Sequence, residues 1–152
     1  MIWLAHTTVA TVVERQGRFL LVEELADGQR VFNQPAGHLE PNETLIEAAI
    51  RETREETGWE VAVQSVLGIY HYTSPANGIT YMRICFIGQP LSRISAELDS
   101  EIVATHWLTA EEIRQLEPQW RSPAVWRVIA DYQAGVRFPL SLISNLNTSA
   151  TN

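Results

Sequence analysis

The chain has 152 residues, of which 45% are apolar and 19% are charged, and this composition is typical of one globular domain with its own core. Its formal net charge of -7 argues against a surface that binds nucleic acid or an anionic membrane, because phosphate backbones attract clustered Lys and Arg. If this chain handles phosphates, a bound metal ion is the natural means of attracting them.

The start of the chain and its cysteine content bear on its location. Residues 1–13 are mostly apolar, but they lack the basic segment and the small-residue cleavage site of a signal peptide and are too few to cross a bilayer. Cys85 is the single cysteine, so no disulfide can form within the chain, which suits a reducing compartment. We therefore expect a cytoplasmic protein that is a monomer or a small homo-oligomer.

Strand-like runs occupy much of the chain. Two β-branched or apolar runs flank Gln16-Gly17, a pattern that predicts a β-hairpin. A short strand is expected next, over the run that leads into the loop at Pro35. Alternating or apolar runs predict three further strands, which cover residues 59–72, 79–88 and 101–108.

Helices interrupt these strands without regular alternation. A first helix is expected over 43–57, capped by Asn42 and ended by Gly58. Thr109 with Glu112 predicts a capped short helix, and Ser122-Pro123 predicts the start of another. This order of elements favours an α+β domain with a mixed sheet between helices.

The same patterns suggest where the domain ends. One domain is expected over residues 1–143. The polar, unpatterned residues 144–152 are expected to form a flexible tail.

The first helix carries three acids on one face of its last turns. Glu52, Glu55 and Glu56 are spaced three and four residues apart, so their carboxylates are expected to project together. Each like-charge pair costs about 0.2–0.5 kcal/mol on an exposed helix. The negative end of the helix dipole adds about 0.3–1 kcal/mol against each acid. Arg51 and Arg54 offset part of this repulsion, although Arg51 is expected to point elsewhere.

A solvated charged face is the ordinary explanation of a glutamate-rich helix. Here the acids cluster at the unfavourable helix end, and Gly58 follows them directly. These two features favour a site for a hard divalent cation, Mg²⁺ or Mn²⁺, which takes oxygen ligands. A bound cation would turn the repulsion into attraction.

The run from Gly37 to Trp59 resembles the Nudix box, G-x5-E-x7-R-E-U-x-E-E-x-G-U, in which U is an aliphatic residue. Every charged and glycine position matches at its spacing, namely Gly37, Glu43, Arg51, Glu52, Glu55, Glu56 and Gly58. Thr53 and Trp59 stand where aliphatic residues are typical, and both are packing positions.

Segments outside the box resemble the NudJ-type phosphatases of this family. They are HTTVATVV, FLLVEE, FNQPAGHLEPNETL, RSPAV and YQAGVRFPL. The resemblance implies a Nudix fold, a mixed sheet flanked by helices with a loop–helix–loop formed by the box. It also implies hydrolysis of phosphoanhydride bonds, with Mg²⁺ as cofactor, in nucleoside tri- and diphosphates, in thiamine pyrophosphate and in its pyrimidine precursor diphosphate, with release of phosphate.

The resemblance also implies roles for individual residues. Glu52, Glu55 and Glu56 would bind the divalent cations, and the carbonyl of Gly37 can join them. Glu43 would pair with Arg51 and hold the loop. Because a metal lowers the pKa of bound water, a modest general base suffices for hydrolysis. That base would be Glu56, Glu55 or an acid outside the helix.

Three residues outside the helix are candidates for the site. Glu101, which precedes a strand, is the leading outside acid, and an ordinary loop acid is an equal alternative. Arg83 lies in an apolar strand and would either contact a substrate phosphate or point outward from a half-exposed sheet. Phe32, just before the box, is the single best candidate for stacking on a substrate ring.

Other specificities compete with this interpretation. Pro75 lies sixteen residues beyond Trp59, about where Nudix enzymes that hydrolyse ADP-ribose place a proline, although it also falls in an evident turn. A MutT-type nucleoside triphosphate pyrophosphohydrolase is a further alternative, although Ala36 stands where that type commonly has glycine. A Nudix ligand sensor without turnover would commonly have lost one of the acids that are present here.

Overall fold

The fold is built on a mixed β-sheet, and the computed structural model describes residues 2–95 and 97–147. Over these residues the elements are β1 (His6–Arg15), β2 (Arg18–Ala26), β3 (Gln29–Asn33), β4 (Ala36–His38), α1 (Leu45–Thr57), β5 (Trp59–Thr73), β6 (Thr80–Arg93), β7 (Ile102–Thr109), α2 (Ala110–Gln115) and α3 (Ala124–Gln133), with 3₁₀ turns at Glu117–Gln119 and Leu140–Leu142. The strand order is β3-β2-β1-β6-β5, and β4 pairs with β1 while β7 pairs with β2. The strand β4 was not expected from the sequence.

The sheet is mixed because its central strands, β1 and β6, are parallel. Thr8 lies opposite Arg83 in that pairing, and Thr8 also lies opposite His38 of the antiparallel strand β4. The expected hairpin between β1 and β2 is confirmed, and its turn residues Gln16 and Gly17 have positive φ angles of 54° and 78°. Both angles suit the tight turn that a two-residue hairpin requires.

Apolar clusters cover both faces of the sheet. Val9, Ile84 and Phe86 pack on one face against Ala48 and Ala49 of α1. On the other face Ala10, Val12 and Cys85 join a cluster that includes Val125, Val128 and Ile129 of α3. Since alternate residues of a strand point to opposite faces, neighbours such as Val9 and Ala10 serve different cores. The expected α+β fold, a mixed sheet between helices, is confirmed.

The helix α1 begins later than the sequence predicts. Its N-cap is Thr44, whose Oγ1 accepts a hydrogen bond from the Glu47 N–H, while the Glu47 side chain accepts one from the Thr44 N–H. Asn42 lies before this cap with a left-handed φ of 66°, so the prediction of Asn42 as the cap was wrong. The capping box at Thr44 is favoured because it satisfies two free backbone N–H groups, whereas a cap by Asn42 alone would satisfy one.

The C-terminal end of α1 follows the prediction. Gly58 has a φ of 77°, and its N–H donates to the carbonyl of Arg54. Thr53, which departs from the aliphatic pattern of the box, is fully buried, and its hydroxyl donates to the Ala49 carbonyl at 2.7 Å. That hydrogen bond removes the cost of burying a polar group at a packing position.

The domain boundary at residue 143 stays a prediction. Of the expected tail, residues 148–152 lie outside the described residues, and residues 144–147 contain no helix or strand. Within the described part of the chain, no helix has both the length and the apolar composition needed to cross a membrane.

Candidate active site

The last turns of α1 lie directly against the short strand β4. The backbone N–H of Ala36 donates to Glu56 Oε1 at 2.9 Å. A Cβ placed on Gly37 would lie 2.2 Å from Cδ of Glu52, closer than any real carbon contact. The absence of a side chain at residue 37 therefore lets the Glu52 carboxylate approach the strand. The first glycine of the Nudix-like run thus contacts an acid from the C-terminal half of α1.

Three carboxylates converge where α1 meets β4. Glu52, Glu56 and Asp99 each place one oxygen so that all three oxygens lie within 4.8 Å of one another. Asp99 comes from the loop before β7, and its backbone N–H donates to the carbonyl of Glu55 at 3.0 Å. Clustered carboxylate oxygens are the ligands that Mg²⁺ and Mn²⁺ prefer, so these side chains fit a divalent cation.

The electrostatics of this carboxylate group favour a bound cation. Glu56 is only 8% exposed, and burial raises its pKa to about 9, with further increases from the charges of Glu24, Glu52 and Asp99. The hydrogen bond from Ala36 opposes this shift but does not cancel it. Burial also raises the pKa of Glu52 and of Asp99. A cation among the carboxylates would favour their charged forms.

Arg51 holds the acids of this region together. Its Nε and Nη2 donate to the two carboxylate oxygens of Glu43, at 2.9 and 2.7 Å. Its Nη1 donates to Glu52 Oε1 at 2.7 Å and to Glu55 Oε2 at 3.2 Å. The expectation that Arg51 points away from the acids was therefore wrong, because its long side chain reaches both neighbours on the helix. The hydrogen bond to Arg51 lowers the pKa of Glu43.

The three helix acids do not occupy equivalent positions. Glu55 is 43% exposed at its side chain and bonds to Arg51, whereas the Glu52 side chain is only 12% exposed. Within the described residues, Glu55 is outside the close carboxylate group. The face predicted from helical spacing is real, but burial divides it into an inner pair, Glu52 and Glu56, and an outer acid.

Asp99 is the member of the close carboxylate group that was not expected from the sequence. Glu101, the predicted outside acid, is exposed and lies in the turn directly before β7, where its carbonyl accepts a hydrogen bond from the Leu25 N–H. Its charge contributes to the raised pKa of Asp99, but it is not part of the close group. The signal in the sequence was an acid two residues before Glu101, and only the course of the loop distinguishes the two.

A cavity of about 270 Å³ opens on the other side of β4. It is lined by Thr8, Glu24, Asn33, Ala36, Gly37, His38, Tyr70, Tyr72, Ser74, Asn77, Tyr81, Arg83, Arg121, Ser122 and Ala124. Gly37 therefore contacts both the cavity and the carboxylate of Glu52. A ligand in this cavity would lie next to the carboxylate group.

Arg83 and Phe32 take different positions with respect to this cavity. Arg83 lines it, is only 7% exposed, and donates from Nη2 to Asn33 Oδ1 at 2.8 Å. The alternative of an outward-pointing Arg83 was wrong, and burial lowers the pKa of its guanidinium. Phe32 packs in the core, with its ring centroid 5.7 Å from that of His106, and does not line the cavity. The structure therefore gives Phe32 a packing position in place of the stacking position expected for it.

Comparisons with known proteins agree with this geometry. The NUDIX domain family matches residues 4–131 of the chain. The chain is 42% identical over 144 residues to the phosphatase NudJ of Escherichia coli K12, covering 93% of this chain and 92% of the relative. A NUDIX hydrolase structure from Nitrosomonas europaea is 42% identical, with a TM-score of 0.92, over 96% of this chain and 100% of the other.

A more distant structure shares the fold. The NUDIX domain of NrtR from Shewanella oneidensis, solved with ADP ribose, has a TM-score of 0.73 over 88% of this chain and 90% of the other. At 15% identity this likeness shows the fold alone. The family match and the 42% identity to NudJ are stronger evidence than this shared fold. Together with the Nudix-box residues at the carboxylate group, they establish that this chain belongs to the NUDIX family and is a Nudix hydrolase acting on phosphorus-containing anhydrides.

Proposed function

We propose that this Nudix hydrolase uses Mg²⁺, or Mn²⁺ in its place, to release phosphate from nucleoside tri- and diphosphates and from thiamine pyrophosphate-like diphosphates. The observation that carries the proposal is the group formed by Glu52, Glu56 and Asp99 beside Gly37, at the edge of the cavity. The 42% identity to a relative named phosphatase NudJ supports phosphate as the product.

The metal ligands we propose are the three close carboxylates and the carbonyl of Gly37, whereas Glu55, which was also expected as a ligand, lies outside the close group. A bound divalent cation neutralises phosphate oxygens and lowers the pKa of water, which supplies the nucleophile for hydrolysis. Arg51 positions the Glu52 and Glu55 carboxylates through its hydrogen bonds at 2.7 and 3.2 Å. With Glu43 held at the other end of the same guanidinium, the loop before α1 stays closed on the site.

Two further roles complete the proposed mechanism. Arg83 faces the cavity with guanidinium donors that can bind a phosphate oxygen of the substrate. Glu55 is the base we propose, since its carboxylate is 43% exposed and lies outside the close group that would hold the cation. It can accept the proton of the attacking water, while Glu52 and Glu56 stay in the positions fixed by Arg51 and Ala36.

The experiment that tests the proposed function is phosphate release by the purified protein with Mg²⁺. Thiamine pyrophosphate, a nucleoside diphosphate, a nucleoside triphosphate and ADP-ribose are each supplied with and without inorganic pyrophosphatase. Direct phosphate release from the diphosphates is the expected result.

Each other result selects a named alternative. Phosphate that comes from the triphosphate only after pyrophosphatase is added would indicate MutT-type cleavage. Turnover of ADP-ribose alone, detected with added phosphatase, would indicate ADP-ribose hydrolysis. Metal-dependent binding without any turnover would indicate a ligand sensor.

The two acids before β7 provide a matched pair of variants. We expect Asp99→Asn to weaken Mn²⁺ binding and to lower kcat/KM by about 10–100-fold, because it removes one oxygen charge from the close carboxylate group. Glu101→Gln is expected to keep Mn²⁺ affinity and activity near those of the wild type, because its side chain is exposed outside that group. Calorimetric titration of Mn²⁺ and steady-state kinetics measure both effects. The opposite ranking would identify Glu101 as the functional acid.

We also propose a cytoplasmic enzyme that is a monomer or a small homo-oligomer and acts without nucleic acid. The support is the single cysteine, Cys85, which is fully buried, and the net charge of -7. Cell fractionation would test the location, and the mass measured by light scattering would test the oligomeric state. A membrane-bound protein or a large assembly would contradict the proposal.

A further inference from the structure

The cavity beside β4 is built from two rows of side chains on one face of the sheet. Arg83 of β6 lies opposite Tyr70 of β5, and two residues away Tyr81 lies opposite Tyr72. Residues two apart on a strand share a face, so both rows lie on the face that Cys85 directs toward α3. The side chains that line the cavity therefore continue the row of core side chains along the same face of the sheet.

The inner row provides the cationic end of the cavity. Among the described residues, the one side-chain hydrogen bond of Arg83 goes to Asn33, although a guanidinium carries five N–H donors. Arg83 is nine-tenths buried and lines the cavity that Gly37 also lines. A substrate phosphate that extends from the carboxylate group past Gly37 would thus reach Arg83, and the rest of the substrate would continue outward.

The outer row provides an aromatic wall of two rings that line the cavity. Tyr81 accepts a hydrogen bond at its hydroxyl from Asn77 Nδ2 at 3.2 Å, and its ring centroid lies 5.6 Å from that of His6. Tyr72 lies opposite Tyr81 in the register and is half-buried. Both rings line the cavity, and that of Tyr81 is held by Asn77 and by His6.

A second planar group lines the cavity from another element. Arg121, which precedes α3, donates from Nη1 to Glu24 Oε1 at 2.8 Å, and both residues line the cavity. Glu24 is only 8% exposed, whereas the Arg121 side chain is 48% exposed, so the ion pair holds one end of the guanidinium at the cavity while much of the side chain stays accessible. Aromatic rings and guanidinium planes are the two side-chain surfaces on which planar heterocycles stack.

From these positions we infer that Tyr72 and Tyr81 set the specificity of this cavity, because they select a planar nitrogen heterocycle in the group that carries the diphosphate. The inference deepens the proposed function and rests on it for the diphosphate part. Nucleosides and thiamine-like coenzymes both carry such rings, and either ring could stack on the two tyrosines. Tyr72 and Tyr81 are then specificity-determining residues, and Arg83 contacts the phosphate that every substrate has.

The test compares substrates with and without a ring. The kcat/KM values for adenosine diphosphate and for thiamine pyrophosphate are each divided by the value for methyl diphosphate, which has the same anhydride without a ring. We expect Tyr72→Leu and Tyr81→Leu each to lower at least one of these ratios about 10-fold, the scale of one lost stacking contact. A larger fall in the ratio for adenosine diphosphate would indicate that the wall binds a nucleoside base. A larger fall in the ratio for thiamine pyrophosphate would indicate a thiamine-like ring. His71→Leu, on the opposite face of β5, is the matched control and is expected to leave both ratios unchanged.

Arg83→Lys separates the phosphate contact from the ring contact. It is expected to lower kcat/KM for all three substrates by a similar factor, because a lysine lacks the planar fork of donors. Tyrosine variants that leave both ratios unchanged, or that lower all three substrates alike, would overturn the assignment of the ring subsite.

A binding measurement keeps the inference testable if the proposed function fails. Adenosine and thiamine, which carry rings without phosphate, are titrated into the metal-free protein and followed by NMR chemical shifts of cavity residues. Shifts in the wild type that are lost in the tyrosine variants support the ring subsite, even if no substrate is hydrolysed. If no substrate is hydrolysed, absence of shifts with both compounds refutes the ring subsite.

Discussion

Replacing Glu56 by Gln is expected to lower Mg²⁺-dependent turnover by about 10²–10⁴-fold, while the metal-free variant is at least as stable as the wild type at neutral pH. The loss of activity follows because Gln removes a charge from the close group of Glu52, Glu56 and Asp99. The stability follows because the Gln carbonyl can still accept the hydrogen bond from Ala36, while Gln, unlike Glu56, does not have to take up a proton on folding at neutral pH.

The expected difference in stability between the wild type and Glu56→Gln depends on pH, and the raised pKa of Glu56 determines its direction. Folding raises the pKa of Glu56 from 4.5 to about 9, mainly by burial, so between these pH values the folded metal-free protein keeps a proton that the unfolded chain has lost. This contribution to stability is fully present below about pH 4.5 and is lost as the pH rises to about 9. The free energy of unfolding of the wild type should therefore fall relative to that of Glu56→Gln over this window.

Urea unfolding of both proteins in a chelator, at several pH values, measures this difference. Added Mg²⁺ should then stabilise the wild type more than the variant, because the cation binds the folded state through the charged carboxylate. Glu55→Gln is the comparison on the same helix, since its side chain is 43% exposed. It should lose turnover with little effect on the stability of the metal-free protein. Full activity in both variants, or marked destabilisation of metal-free Glu56→Gln, would contradict the proposed site.

Replacing Gly37 by Ala is expected to lower kcat/KM by about 100-fold with a small effect on stability. The added Cβ would lie 2.2 Å from Cδ of Glu52 and 2.4 Å from its Oε1, so the carboxylate must move. That carboxylate is held by Arg51 at 2.7 Å, and its displacement disrupts the group that would hold the cation. The fold should tolerate the change, because the clash involves the end of a flexible side chain and not the backbone.

A double-mutant cycle identifies the cause of this loss. Glu52→Asp shortens the carboxylate side chain and should lower activity by itself, yet it should cost less in the Gly37→Ala background, where it relieves the clash. Steady-state kinetics and Mn²⁺ affinity are measured for the two single variants and the double variant. Independent, additive effects would show that Gly37 acts otherwise than through Glu52.

Local signals account for what was predicted well. The hairpin at Gln16-Gly17 and the end of α1 at Gly58 depend on backbone conformations that few residues adopt, so a short run of sequence suffices to predict them. The start of α1 was predicted less well, because Asn42 and Thr44 are both good capping residues. Only the reciprocal bond between Thr44 and Glu47 decides between them.

The sequence by itself determined the family, the α+β class and the helical acids, because the spacing of Gly37, Arg51, Glu52 and Glu56 is a property of one continuous segment. Tertiary structure alone decided which residues from distant segments meet that helix. Asp99 reaches Glu52 and Glu56 because of the course of the loop before β7. The strand register directs the side chains of Arg83, Tyr72 and Tyr81 toward the same cavity, whereas the Phe32 side chain packs in the core. Register and loop course depend on the packing of the whole sheet, and no local run of residues encodes them.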